Sequence, residues 1–88
     1  MTEGEKALLK CGFELDASQH IDSTYDSIWY RCENLYIEFM KWSNSNQWTA
    51  SSYYSDDDLP ANLDVNDIKA IALRLDELNA EVSKNDTR

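Results

Sequence analysis

The residues of this sequence that could do chemistry are few and widely separated. Cys11, His20 and Cys32 are its only cysteines and its only histidine. Cys–His catalysis needs the two side chains in contact beside an oxyanion site, and a zinc site needs several ligands at short spacings such as Cys-x-x-Cys. Neither pattern is present. We therefore expect no catalytic residue, no metal and no cofactor, with both cysteines reduced and packed.

Carboxylates, by contrast, are abundant. The 88 residues contain 17 Asp and Glu against 8 Lys and Arg, for a net charge of -9 at pH 7. This balance argues against direct binding of DNA or RNA, which needs a basic face to displace counterions from phosphates. The run Asp56-Asp57-Asp58 lacks the alternating ligands, central glycine and terminal glutamate of a calcium loop. There is no glycine-rich phosphate loop either, so we expect a protein that is not an enzyme.

Aromatic residues are the second unusual feature, with three Trp and five Tyr in a short chain. Trp and Tyr dominate the binding hot spots of protein interfaces. If the middle of the chain forms a sheet, one of its faces carries a set of large side chains: Trp29, Arg31, Tyr36, Met40, Trp42 and Tyr53. In a simpler alternative, these side chains only shield the sheet as cross-strand pairs. In another, residues 16–26 fold over them.

The elements that would position these residues begin with a short helix. Thr2 and Glu5 match a capping box, and Gly12 suits the end of the helix. Residues 13–15 then alternate like a short strand, and the polar residues 16–26 are predicted to form a surface loop. Residues 28–32 and 35–42 read as two strands joined by the turn Glu33-Asn34, in which Asn34 tolerates positive φ.

That two-residue turn fixes a register, because a slip by one residue would exchange the two faces of the hairpin. It places Ile28, Tyr30 and Cys32 opposite Phe39, Ile37 and Leu35 on one apolar face. A third strand ending near Tyr54 follows. A final helix is predicted to begin at the N-cap Asp64, and its apolar stripe contains Ile68, Ile71, Ala72, Leu75, Leu78 and Val82.

The predicted fold is therefore a single α+β domain over residues 1–84, with a frayed polar tail at 85–88. It consists of an N-terminal short helix, a three- to four-stranded antiparallel meander, and a C-terminal amphipathic helix packed on one sheet face. No apolar run reaches the ~20 residues of a membrane-spanning helix. Because the acidic start is unlike a signal peptide, we expect a cytoplasmic protein without membrane contact.

The charge leads to the first hypothesis on function. A strongly acidic folded surface can imitate a phosphate backbone and occupy the basic groove of a nucleic-acid-binding protein. In composition the chain resembles short acidic proteins of phages and mobile elements, some of which inhibit host restriction or CRISPR machinery. The resemblance implies an inhibitor whose partner has a basic surface, bound through carboxylates near element ends and along the last helix: Asp56, Asp57, Asp58, Asp64, Asp67, Asp76, Glu77 and Glu81.

The aromatic residues lead to the alternative hypothesis. A protein–protein adaptor or subunit would bind through the aromatic sheet face, in some cases as a homodimer, and its acidity would serve only solubility. The two hypotheses differ in their response to salt. Charge mimicry weakens steeply as salt rises, whereas an aromatic interface changes little.

Overall fold

The computed structural model describes residues 1–21, 24–54 and 63–86, and it describes the backbone alone at 17–21, 53–54 and 83–86. The elements in chain order are α1 (Glu3–Lys10), β1 (Glu14–Ile21), β2 (Tyr25–Cys32), β3 (Leu35–Trp42), β4 (Thr49–Tyr54) and α2 (Val65–Asp86). The strands form one antiparallel sheet in the order β1-β2-β3-β4. The predicted α+β meander with a helix at each end is confirmed. Helix α2 continues two residues into the segment for which the sequence predicts a frayed tail.

Helix α1 begins and ends where the sequence predicts. The Glu5 N–H donates to Thr2 Oγ1 at 3.2 Å, and the Thr2 N–H donates to Glu5 Oε1 at 2.9 Å, which completes the capping box. Gly12 follows the helix with a φ of 94°, a conformation that glycine adopts without a Cβ clash. This turn leads directly into Phe13, which is buried in the core.

The β2–β3 hairpin has the predicted register, with Ile28 opposite Phe39 and Cys32 opposite Leu35. The two-residue turn therefore places the side chains on the two faces of the hairpin as predicted. The turn itself differs in one respect. Glu33, and not Asn34, is the non-glycine residue with positive φ in the described part of the chain, at 56°.

The loop predicted over residues 16–26 is wrong. Strand β1 runs to Ile21 and pairs with β2 from Glu14 opposite Arg31 to Ile21 opposite Tyr25, with an irregularity after Leu15. An edge strand is held by backbone hydrogen bonds to one neighbour, so its polar composition does not prevent pairing. The irregularity also breaks the apolar–polar alternation by which a strand is recognised. The backbone at residues 16–21 and 25–26 thus extends the sheet and does not fold over its aromatic face, and residues 22–23 lie outside the described residues.

The two faces of the sheet differ in what covers them. One face, here called the helix face, contributes Tyr30, Ile37, Phe39 and Trp48 to the buried core, which Leu8, Ala70 and Leu78 of the helices complete. The opposite face is here called the open face, because the core takes no residue from it among those described. The strand registers assign to the open face Tyr25, Ser27, Trp29, Arg31, Tyr36, Glu38, Met40, Trp42, Thr49 and Ser51.

Helix α2 is rotated relative to the predicted apolar stripe. Ala70 is 2% exposed, whereas Ile68 is 53% exposed and Ala72 is also exposed. The reason is the close packing of α1. A Cβ at Gly4 would lie 2.7 Å from the Cα of Arg74, so the two helices approach where side chains are small or absent. The rest of the stripe is confirmed, because Leu78 is buried and Ile71, Leu75 and Val82 pack against the core.

Candidate binding face

Two aromatic pairs lie on the open face. Tyr25 and Trp42 are direct partners on β2 and β3, and their ring centroids are 5.3 Å apart with an interplanar angle of 57°. Trp29 and Tyr36 are diagonal neighbours nearer the turn, with centroids 6.1 Å apart and an edge-on angle of 82°. Trp42 is half exposed. Cross-strand aromatic pairs stabilise a hairpin, and here they also leave ring surface available to a partner.

Arg31 is the basic residue of the open face, and its guanidinium is already engaged. The guanidinium carbon lies 5.7 Å from the centroid of the Tyr36 ring. The Nε–H donates to the backbone carbonyl of Glu33 at 2.9 Å. Both contacts hold Arg31 at the turn end of the hairpin.

Glu38 lies between the two aromatic pairs. Its register partners are Trp29 on β2 and Ser51 on β4, and its neighbours along β3 on the same face are Tyr36 and Met40. Burial raises the pKa of the Glu38 carboxyl above its ordinary value. The carboxylate forms no hydrogen bond or ion pair with another residue that the structure describes. A carboxylate in partly apolar surroundings is thus left without a cation.

The side chains around Glu38 differ between the two neighbouring strands. On the β2 side, Ser27 is only 2% exposed. On the β4 side, Thr49 and Ser51 are small and exposed. Glu38 therefore has Trp29 as its register partner on one side and the small, exposed Ser51 on the other.

The structure gives several of the predicted acidic residues an internal role. Asp64 Oδ1 accepts from the Asp67 N–H at 2.9 Å, and the Asp64 N–H donates to Asp67 Oδ2 at 3.2 Å, so both side chains cap α2 as the sequence predicts for Asp64. Asp76 and Glu81 are exposed on α2 and form no ion pair with another described residue. The run 56–58 lies outside the described residues.

Glu77 accepts three hydrogen bonds, more than the other described carboxylates of this set. Its Oε1 accepts from Thr2 Oγ1 at 2.6 Å and from Arg74 Nη1 at 3.2 Å, and its Oε2 accepts from the Gly4 N–H at 2.8 Å. Burial alone would raise the pKa of Glu77. The hydrogen bonds from Thr2, Gly4 and Arg74 outweigh it, and the pKa is lowered. Glu77 therefore joins the two helices and is not a free surface charge.

The residues considered for catalysis belong to different elements: Cys11 ends α1, His20 lies in β1 and Cys32 lies in β2. Burial raises the pKa of the Cys11 thiol, and the carboxylates of Asp67 and Asp64 raise it further, so the thiol form is favoured. His20 lies in β1 and not in a loop. Within the described residues, no three His, Cys, Asp or Glu side chains are grouped so that they could hold a metal ion. No helix in the same part of the chain has both the length and the apolar character needed to cross a membrane.

The structure thus brings together on one face five residues predicted for the aromatic sheet face: Trp29, Arg31, Tyr36, Met40 and Trp42. The backbone register places Tyr53 opposite Tyr36, on that same face. Glu38 was not among the residues predicted to bind a partner, although the predicted hairpin register already placed it beside Trp29. No family model, curated protein or solved structure matches the chain.

Proposed function

We propose that the protein is a non-enzymatic, cytoplasmic binding protein that engages a protein partner with a basic surface through the open face of its sheet. One observation chiefly supports the proposal. Two aromatic pairs share a face from which the core takes no described residue, and with them lies a partly buried carboxylate that has no hydrogen-bond or ion-pair partner among the described residues. Trp and Tyr supply large contact area at hot spots. The net charge of -9 favours rapid encounter with a basic partner.

Charge mimicry of a phosphate backbone, as in an inhibitor of a nucleic-acid-binding defence enzyme, is the second candidate. Its support is the exposure of Asp76 and Glu81 on α2. The two residues are five positions apart, however, and so project about 140° apart around the helix axis. Glu77 lies one helical turn before Glu81 and could form a row of carboxylates with it, but its carboxylate accepts hydrogen bonds from Thr2 and Gly4 at the start of α1. The described carboxylates of α2 thus give weaker support than the open face.

Affinity capture from a lysate of the source cells, with three forms of the chain as bait, tests the proposal. The first bait is the native chain, the second carries Tyr36→Ala and Trp42→Ala, and the third carries Asp76→Asn and Glu81→Gln. Mass spectrometry identifies what each bait retains. We expect a basic protein that the native chain and the α2 variant capture and that the aromatic variant loses.

Thermal unfolding of all three baits controls for misfolding, since the substituted side chains lie outside the buried core. Loss of the partner from the α2 variant alone would contradict the proposal and favour charge mimicry. Recovery of no protein from the lysate, not even the cell's own copy of the chain, would contradict both candidates. A bait that captures only further copies of itself would instead favour the homodimer.

A further inference from the structure

We infer that Glu38 receives an arginine side chain of the basic partner, whose guanidinium pairs with the carboxylate and lies against the ring of Trp29. The inference rests on the proposed function and names the chemical group that the open face recognises. It concerns three residues that the strand registers place side by side on the open face: Glu38, Trp29 and Ser51.

A partner that covers the open face also covers Glu38. Glu38 is already partly desolvated by its neighbours, and it has no partner among the described residues. Covering it further would remove its remaining water. Burying a carboxylate is strongly unfavourable unless a cation and hydrogen bonds compensate. A partner that covers this face therefore binds best when it places a cationic group at Glu38, since the carboxyl must otherwise take up a proton.

Arginine and lysine differ in how well they fit beside Glu38. The carboxylate stands directly across from Trp29, and the Tyr36 ring is next along the same strand. A guanidinium is planar, so it can lie on an aromatic ring while its forked N–H groups bind a carboxylate. An ammonium is a compact and strongly hydrated charge that gains less from such a setting. The geometry thus favours arginine over lysine.

Arg31, the arginine of the open face, is engaged in other contacts. The guanidinium of Arg31 lies over Tyr36 and donates to the Glu33 carbonyl, which directs it toward the turn. A second copy of the chain offers the same arginine, but the two copies would each carry a charge of -9. Like charges of this size oppose self-association.

The experiment uses the full ¹⁵N-labelled chain and small blocked amino acids as probes. N-acetyl-arginine amide is titrated at constant ionic strength, and the indole N–H signals of the three tryptophans are followed by NMR. N-acetyl-citrulline amide is the neutral isostere, and N-acetyl-lysine amide carries the alternative cation. We expect saturable shifts at Trp29 with the arginine probe, and binding about fivefold weaker with the other two. Trp48, which is buried in the core, is the internal reference.

Two variants locate the site. Glu38→Gln removes the charge without changing the shape and should abolish the difference between arginine and citrulline. Glu33→Gln removes a charge from the exposed turn of the same hairpin and should leave arginine binding unchanged. A preserved amide spectrum shows that each variant is folded. Trp29→Leu keeps the carboxylate and should weaken arginine binding through loss of the ring; the backbone amide signals of the β2–β3 hairpin follow binding in this variant.

Equal binding of citrulline and arginine, equal binding of lysine, or unaltered binding by Glu38→Gln would each overturn the inference. Its failure is distinguishable from failure of the proposed function. If arginine does not bind but the aromatic bait loses its partner, the inference alone fails. If arginine binds at Glu38 but no captured partner depends on the open face, the proposed function fails.

Discussion

The side chain of Glu77, in the middle of α2, caps the first turn of α1 through a 2.8 Å hydrogen bond from the Gly4 N–H to its Oε2. The first N–H groups of a helix have no partner within the helix. Thr2 satisfies the Glu5 N–H locally, and Glu77 satisfies the Gly4 N–H from 73 residues away. Because α1 has only eight residues, it is too short to be stable alone. Its stability therefore depends on tertiary contacts, which are this hydrogen bond and the burial of Leu8 in the core.

Removal of the Glu77 carboxylate should destabilise the fold. Glu77→Ala leaves the Gly4 N–H and the largely buried Arg74 without their acceptor. We expect the free energy of unfolding to fall by about 2 kcal/mol, as for the loss of a cap together with a charged hydrogen bond. Urea unfolding followed by circular dichroism measures it. Glu81→Ala, four residues along the same helix and exposed, should change stability by less than about 0.5 kcal/mol. Equal effects of the two substitutions would contradict the assigned role.

The same contact should make stability depend on acid pH. The hydrogen bond from the Thr2 backbone lowers the pKa of Glu5, and hydrogen bonds lower that of Glu77 against the effect of burial. A lowered pKa contributes stability that is complete above the ordinary value of 4.5 and is lost as pH falls through the folded-state value. Glu38 acts in the opposite sense, since its raised pKa makes ionisation unfavourable in the fold.

Urea unfolding of the native chain and of Glu77→Gln is measured from neutral to acid pH. The comparison isolates the contribution of the Glu77 carboxyl to the pH dependence of the free energy of unfolding. The stability difference between the two proteins should be constant above the ordinary carboxyl pKa and should shrink as the pH falls below it. A difference that stays constant through the acid range would show that Glu77 is not held in its ionised form.

Gly4 should not tolerate a side chain. A Cβ at this position would lie 2.7 Å from the Cα and 2.9 Å from the backbone N of Arg74, and backbone atoms cannot move aside as a flexible side chain can. We expect Gly4→Ala to destabilise by about 1–3 kcal/mol through overpacking, even though alanine favours helix by about 1 kcal/mol. Thermal unfolding checks this. Lys6→Ala, exposed on the same helix, serves as the control, and stabilisation by Gly4→Ala would show that the helices can separate.

The β2–β3 turn offers a stabilising substitution. Glu33 adopts a φ of 56°, a region in which a side chain is strained and glycine is not. Glu33→Gly should therefore raise the free energy of unfolding by about 0.5–1 kcal/mol. Glu33→Ala removes the same charge but keeps the Cβ, so it should give no gain. Urea unfolding of both variants distinguishes relief of backbone strain from loss of an acidic group.

Much of the sheet was predictable because a tight turn and an apolar pattern fix side-chain direction together. The positions of Trp29, Tyr36 and Trp42 on one face follow from that register alone. Strand β1 was predicted only over residues 13–15. Its extension to Ile21 was missed, since an irregular edge strand held by backbone hydrogen bonds has little side-chain signature. The orientation of α2 was also missed. Periodicity selects large apolar residues, whereas the close approach of α1 selects Ala70.

The candidate site was predictable only in part, for the same physical reason. Sequence pattern places Glu38 beside Trp29, but its lack of a described partner depends on Arg31 turning toward the Glu33 carbonyl. Conversely, Glu77 looks like any exposed helix carboxylate until α1 is packed against it. Both facts depend on tertiary contacts that no local spacing encodes.

The pairing of α1 with α2 also has a consequence for the order in which the molecule folds. Every strand pairs with its neighbour in the chain, whereas the contact from Gly4 to Glu77 closes nearly the whole chain. Loop-closure entropy favours nearby pairings first. We therefore expect the helices to dock after the rate-limiting barrier. Glu77→Ala and Gly4→Ala should then accelerate unfolding and leave the refolding rate nearly unchanged.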